Sequence, residues 1–334
     1  MTLAPYPGGL ASPETLLLLL LALAIDAVVG DMPGLFRVVP HPVRLAGGVI
    51  GALERRLNRE KRSEVTRKVR GLLLVLVLGS LAAAAGWVVA SASRAYPYGW
   101  LLELFFVAVL VAQRGLYNHV RQVSVALRDK GLGAAKAAVR HIVGRDLEAL
   151  DEHGVARAAI ESCAENFSDG VVAPAFWYIL LGLPGLMAYK AVSTMDSMIG
   201  HRSARYRAFG MAAARLDDLL NLVPARIAGA LIAVAALFAP TANPARALKT
   251  MVGDARKHSS PNAGWPEGAM AGALGLALAG PRRYGEVVAD DPWIGDGRAR
   301  ATYQDINRSL YLFAVACLVH AGAIAVLAGV RVTL

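Results

Sequence analysis

Glu161, Glu165 and Asp169 recur at i, i+4 and i+8, a spacing that stacks three carboxylates on one face of a helix. Like charges so placed cost about 0.2–0.5 kcal/mol per pair even in water. A divalent metal or Arg/Lys side chains are therefore expected against them. A solvated acidic face ending at Asp169-Gly170 is the plainer alternative. It is disfavoured because 19 uncharged residues, Val171 to Tyr189, follow directly.

Three further segments are too polar to be simple connections. Between Tyr189 and Tyr206, Lys190, Arg202 and Arg205 are phosphate-type cations, and Arg202 and Arg205 at i, i+3 can converge on one anion. Asp196, flanked by Thr194 and Ser197, suits a metal held by hard oxygen ligands. A positive patch touching lipid headgroups is the alternative for this segment. In Arg215-Leu-Asp-Asp-Leu-Leu-Asn221, helical spacing puts Asp217, Asp218 and Asn221 within about one turn. In Ser260-Pro-Asn-Ala-Gly-Trp-Pro-Glu267, two prolines predict a stiff, extended loop presenting Asn262, Trp265 and Glu267. Asp26 joins these candidates as a charge inside an apolar stretch. So does His41 in Pro40-His-Pro-Val-Arg44, although a histidine there more commonly caps or packs.

The elements that must position these residues are apolar. Of 334 residues, 56% are hydrophobic and 18% charged, and mean hydropathy is +0.46, which points to lipid rather than water as the surrounding solvent. Gly71–Ser93 and Leu310–Val330 each supply the roughly 20 apolar residues that a crossing needs. Spans are expected near 14–30, 71–93, 99–112 and 310–330, with a tight turn at Tyr96-Pro97-Tyr98-Gly99. Residues 171–189 and 227–242 are also apolar, but basic residues lie on both sides of each. Membrane-dipping, re-entrant segments are preferred there, with Pro174, Gly182, Pro184 and Gly185 breaking the first. Ten basic residues fall between Arg37 and Arg70 and only Arg94 between the next two spans, which puts residues 31–70 in the cytoplasm. No basic residue precedes Arg37, so no cleaved signal peptide is expected.

The expected fold is all-α: a polytopic helical membrane protein whose helical active-site region faces the cytoplasm. With no linker in the sequence, residues 1–334 read as a single integral membrane domain. Asn118–Ala159 reads as amphipathic helix broken near Gly131 and Gly144. The net charge of +10 is assigned to orienting loops and membrane lipids, and nucleic acid is excluded because basic and aromatic residues do not interleave. The two cysteines form no metal or disulfide pattern, and no Walker, dinucleotide-binding or HExxH motif occurs.

Taken together, the unusual words are similar to one known family. Asp26…Gly30-Asp31, Pro40-His-Pro-Val-Arg44, Val143-Gly-Arg-Asp146, Ala164-Glu-Asn166, Ser168-Asp-Gly-Val-Val-Ala-Pro174, Tyr189-Lys-Ala-Val192, Asp196-Ser-Met-Ile-Gly200, Ala214-Arg-Leu-Asp-Asp218, Pro224-Ala-Arg226 and Asn262-Ala-Gly-Trp-Pro-Glu267 resemble the adenosylcobinamide-phosphate synthase family of cobalamin biosynthesis. The likeness runs from about residue 20 to Pro292-Trp-Ile-Gly-Asp-Gly297. Ser193, Phe167 and Gly115 depart from the pattern, standing where Asn, a small or aliphatic residue, and Ser are usual.

The resemblance implies an ATP-dependent ligase of the bacterial inner membrane that joins adenosylcobyric acid to aminopropanol or its O-phosphate. ATP and Mg²⁺ are the implied cofactors. Glu165, Asp169, Asp196 and Asp217 are the expected metal residues. Glu165, Lys190, Asp217 and Asp218 are the expected catalytic residues. Arg202, Arg205 and Arg215 would bind phosphate, while Asn166, Asn221, Asn262, Trp265, Glu267 and His41 would contact substrate. A neighbouring late-pathway cobalamin synthase is an expected partner. Two other classes stand against this reading. A non-catalytic membrane sensor or scaffold would lose the acidic and amide words, and a corrinoid transporter would need a continuous polar path through its spans.

Overall fold

A computed structural model describes residues 11–30, 32, 34–37, 40–140, 142–143, 150–201, 203–284, 287–289 and 291–333. Helix dominates, and the starts are written in the sequence. Ser12, His41 and Asn243 each cap a helix that has Pro in its first turn, so the missing proline N–H falls where no intrahelical bond is needed. Ser63 and Asp151 cap two more with side-chain oxygens.

Among the described residues, four helices are long and apolar enough to cross a membrane: Glu64–Ala95, Trp100–Asp129, Glu152–Ile199 and Tyr303–Thr333. A bent pair, Met211–Leu220 with Leu222–Ala235, passes the same test when taken together. The expected spans at 71–93 and 310–330 lie inside the first and last of these helices. The 14–30 segment is helical over Pro13–Val29, at 17 residues. The turn at 96–99 forms as expected, with Gly99 N–H donating to Tyr96 O at 3.0 Å.

The chain forms two compact units, Met1–Val111 with Ala173–Leu220 and Ile324–Leu334, and Ala112–Val172 with Asn221–Ala323. Nothing in the sequence marks their boundary, because the chain passes between them repeatedly instead of through a linker.

The first unit contains α1 (Pro13–Val29), α2 (Pro42–Leu57), α3 (Glu64–Ala95), α4 (Trp100–Leu110), α8 (Ala173–Ile199) and α9 (Met211–Leu220). α3 runs along α8, and Ile50, Leu74, Val75, Val192, Met195, Ile199, Phe209 and Ala213 form a shared apolar core. The break expected in 171–189 occurs at Gly182, whose φ of 65° is open to glycine at little cost, two residues before Pro184.

The second unit contains α5 (Gln113–Asp129), α6 (Gly131–Val139), α7 (Glu152–Phe167), a π-helical turn (Ser168–Val172), α10 (Leu222–Ala235), α11 (Pro244–Asp254), α12 (Gly264–Leu274) and most of α13 (Tyr303–Thr333). α11 and α12 pack closely because Gly264, Gly268 and Gly272 recur every fourth residue on α12. A Cβ at Gly268 would press on the Met251 backbone, and one at Gly272 on the Arg246 carbonyl.

Two expectations are corrected here. The fold is not wholly helical, for β1 (Leu278–Ala279) pairs antiparallel with β4 (Trp293–Ile294), and β2 (Arg282–Tyr284) with β3 (Val287–Ala289). Strands of two or three residues leave no alternation to read. The stretch from Ser260 to Glu267 is not extended throughout; it turns at 260–263 and enters α12 at Gly264. Pro266 in the first helical turn starts that helix rather than preventing it.

Candidate functional site

In the first unit the candidate chemistry gathers at the end of α8 and on α9. Lys190 and Asp196 are half-buried on α8, and Asp217 and Asp218 are half-buried on α9. Asp218 lies near enough to Asp196 for the two carboxylates to repel, and His201 near enough to attract. This pairing joins two polar words that the sequence gives separately. Gly200 leaves room for the Asp196 carboxylate, because a Cβ there would fall on it. Thr194 and Ser197, expected beside a metal, turn their hydroxyls back onto the helix, donating to Lys190 O at 2.6 Å and Ser193 O at 2.9 Å.

The cations of this unit divide. Arg215 is exposed. Arg205 is held by Glu54 in a bidentate pair, Nε to Oε1 at 3.0 Å and Nη2 to Oε2 at 3.1 Å. The Glu54 hydrogen bonds, and then its charge, push the Arg205 guanidinium above its ordinary value. The Arg205 carbonyl in turn accepts from Asn58 and Arg67. The structure thus places Arg205 in an ion pair while leaving its side chain partly exposed. Arg202 lies outside the described residues, as do Asp31, Arg145 and Asp146. His41 acts as the cap of α2, its Nδ1 accepting from Val43 N–H at 3.2 Å and its ring 4.5 Å from that of Phe36. Asp26 is buried within α1.

In the second unit the acidic stripe separates by burial. Glu161 is buried and its Oε1 accepts from Ala279 N–H at 2.8 Å, tying α7 to β1. Glu165 is exposed, and Asp169, beyond the end of α7 in the π-helical turn, is half-buried. The wider turn breaks the strict i+4 spacing between them. Asn166 donates to Ser162 O and Ser162 Oγ at 2.9 and 3.0 Å, and Ser162 Oγ to Ile142 O at 2.7 Å, so the amide is fixed before any ligand arrives.

The fourth polar word is organised by a residue that was not singled out as a site. Arg226, on α10, stacks its guanidinium 4.6 Å from the Trp265 ring centre and donates from Nη1 to Asn262 Oδ1 at 2.9 Å. Arg256 lies close enough to Arg226 to repel it. Glu267 is 2% exposed, with His258 Nε2 at 3.8 Å. His258 Nδ1 accepts from Ser260 N–H at 2.9 Å, which places the ring proton on Nε2. Asn221 is buried at the break before α10. Arg226 and Asn262 are 36 positions apart, beyond any spacing rule, and only the word Pro224-Ala-Arg226 hinted at the first.

A family model described as CobD/Cbib protein matches residues 19–313. The chain belongs to the CobD/CbiB family. Relatives include "Cobalamin biosynthesis protein CobD" of a Sinorhizobium species, 52% identical over 319 residues covering 94% of this chain and 99% of that one. The protein of that name from Rhizobium meliloti strain 1021 is 49% identical, covering 92% and 95% of the two chains. The Rhodobacter capsulatus protein is 45% identical, covering 89% and 92%. No solved structure matches the chain significantly. The family membership agrees with the resemblance that the polar words carried.

Among the described residues, no group of three or more His, Cys, Asp and Glu side chains is placed to hold a metal ion. The Asp196–Asp218 pair is a smaller set. Mg²⁺ commonly takes only one or two carboxylates from protein and completes its shell with water and substrate phosphates.

Proposed function

We propose that the chain acts in cobalamin biosynthesis as an ATP-dependent ligase, joining a carboxyl of adenosylcobyric acid to the amine of aminopropanol or its O-phosphate. Family membership over residues 19–313 carries this reading, together with the names of the relatives. A carboxylate is a poor acylating group. Phosphoryl transfer from ATP turns its oxygen into a leaving group; the amine then attacks the carbonyl carbon, the C–O bond to phosphate breaks, and the nitrogen loses a proton.

Catalysis of this kind rests on positioning and on neutralising phosphate charge. Lys190 and Arg215 are assigned to the phosphates, with Arg202 as a further candidate. Asp196 and Asp218, with Asp217 beside them on α9, would hold Mg²⁺, which when bound neutralises phosphate charge. Glu165 and Asp169 remain candidates for metal, and Glu165 for catalysis. Asn166, Asn221, Asn262, Trp265 and Glu267 are assigned to corrinoid or amine. Arg226 joins them, because it sets the positions of Asn262 and Trp265. Arg205 and His41 pass to supporting roles, given the partners they already hold.

The setting is a bacterial inner membrane with the active-site region on the cytoplasmic side. The basic residues between Arg37 and Arg70 support that orientation. Residues 171–189 and 227–242 are read as membrane-dipping, supported by the kink at Gly182 and by the helix ending at Ala235. Product transfer to a neighbouring late-pathway synthase is part of this reading, and co-purification from native membranes tests it.

The deciding experiment incubates the purified full chain in detergent with adenosylcobyric acid, aminopropanol phosphate, ATP and Mg²⁺. Mass spectrometry should find an amide product that requires ATP. Its absence, where a working relative succeeds, overturns the reading. Repeating the assay with unphosphorylated aminopropanol identifies the preferred amine.

A further inference from the structure

The connection between α2 and α3 lines an open cavity of about 410 Å³ with Arg59, Lys61, Arg62, Ser63 and Thr66. The chemistry proposed above uses none of these residues. The three cations are exposed, and among the described residues no carboxylate pairs with any of them. The acids nearest in sequence are engaged elsewhere. Glu54 and Glu60 face Arg205 at 2.9 and 4.0 Å, and Glu64 pairs with Arg207 at 3.1 Å. The cavity therefore keeps an uncompensated charge of three, with two hydroxyls beside it.

Its depth along the membrane follows from α3. Val65, Val69, Leu72, Leu73, Leu76, Val77, Leu81 and Val88 are all exposed on that helix, an apolar surface that suits acyl chains. The uncharged stretch begins at Gly71, five residues after Thr66. At about 1.5 Å per residue, Thr66 stands roughly 7–8 Å outside the apolar stretch. Headgroups occupy about 5–8 Å on each side of the hydrocarbon core, so the cavity sits at phosphate level. Exposed Tyr96, Tyr98 and Trp100 mark the opposite interface.

We propose that this cavity binds the phosphodiester headgroup of an anionic phospholipid, held by Arg59, Lys61 and Arg62. Guanidiniums fork onto phosphate oxygens, and the lysine adds a mobile point charge. A lipid occupant is favoured over a soluble phosphate because the cavity adjoins a lipid-facing apolar surface that would hold the tails.

The full chain would be reconstituted in nanodiscs of phosphatidylcholine with increasing phosphatidylglycerol, and retained lipid counted by native mass spectrometry. Wild type should retain phosphatidylglycerol over phosphatidylcholine. The variant Arg59→Gln/Lys61→Gln/Arg62→Gln should lose that preference by on the order of a hundredfold, because each cation adds to the attraction at an anionic surface. Arg59→Lys/Arg62→Lys should keep most of it. Equal thermal unfolding of all three proteins in pure phosphatidylcholine controls for folding, and Arg62→Gln alone replaces the triple variant if that fails to insert. Unchanged retention in the Gln variants overturns the proposal. Displacement of the lipid by millimolar inorganic phosphate also overturns it, assigning the cavity to a soluble anion.

Discussion

The two units both bury polar side chains, but they differ in what lies around them. The first exposes apolar residues along α1, α3 and α4 and keeps many of its charges near helix ends, as in the Glu54–Arg205 pair and the Asp196–Asp218 pair. The second shows its polar anchoring most clearly in side chains that are buried and bonded to backbone as well as to cations. Asp305, 2% exposed, accepts from Arg298, Arg308, and both the backbone and hydroxyl of Thr302. Glu161 holds β1 in the same manner, and Asn262 holds Arg226. A helix facing lipid gains little from apolar contacts with lipid, whereas a buried carboxylate without partners costs several kcal/mol. Charge changes at half-buried Asp196 and Asp218 should therefore be felt in chemistry, and those at buried Asp305 in folding.

The largest effect is expected at α9. Asp218→Asn keeps the shape of the side chain and removes the charge beside Asp196. Ligase turnover should fall by about 10²–10³-fold, the usual loss when one electrostatic group is removed from a site. The melting temperature in detergent should stay near wild type. Near-normal turnover would take Asp218 out of the site. A collapse of both quantities would erase the contrast between the units.

Asp305→Ala should cost about 1–3 kcal/mol of stability, because it leaves the Thr302 backbone N–H without its acceptor and releases two partly exposed arginines. Calorimetry or chemical unfolding in mild detergent would measure it. A loss below about 1 kcal/mol would show that water replaces those bonds, and the second unit would then be less enclosed than its burial indicates.

Gly272→Leu adds a side chain where α12 meets the Arg246 carbonyl. Overpacking of this kind costs about 1–3 kcal/mol. Gly253→Leu, on α11 with open space around it, should be nearly neutral and serves as its control. Equal melting temperatures for the two variants would contradict the close approach.

The smallest effect sharpens the standing of His41. If it is only the cap of α2, His41→Asn should be neutral and His41→Ala should cost about 1 kcal/mol, with turnover unchanged in both. A loss of turnover in His41→Asn at unchanged stability would return His41 to the substrate-binding residues.

Local physics was legible in the sequence. Uncharged runs announce α3 and α13, and the Tyr96–Gly99 turn forms where its residues require it. Each depends on a few adjacent residues or on the bulk polarity of one segment. The polar words were equally legible as candidates, because acids and amides beside apolar runs demand partners.

Which partners they take was decided by the tertiary structure. Glu161, Glu165 and Asp169 look alike by spacing, yet one is a buried anchor for a strand while another is exposed. Arg205 looks like a phosphate ligand until Glu54, 151 positions away, is seen to hold it. Arg226 meets Asn262 across 36 residues, and Asp196 feels the charge of Asp218 from another helix. Spacing rules reach about two helical turns. Charge pairing and burial act through space, so the assignment of each polar group waits on the fold that brings distant segments together.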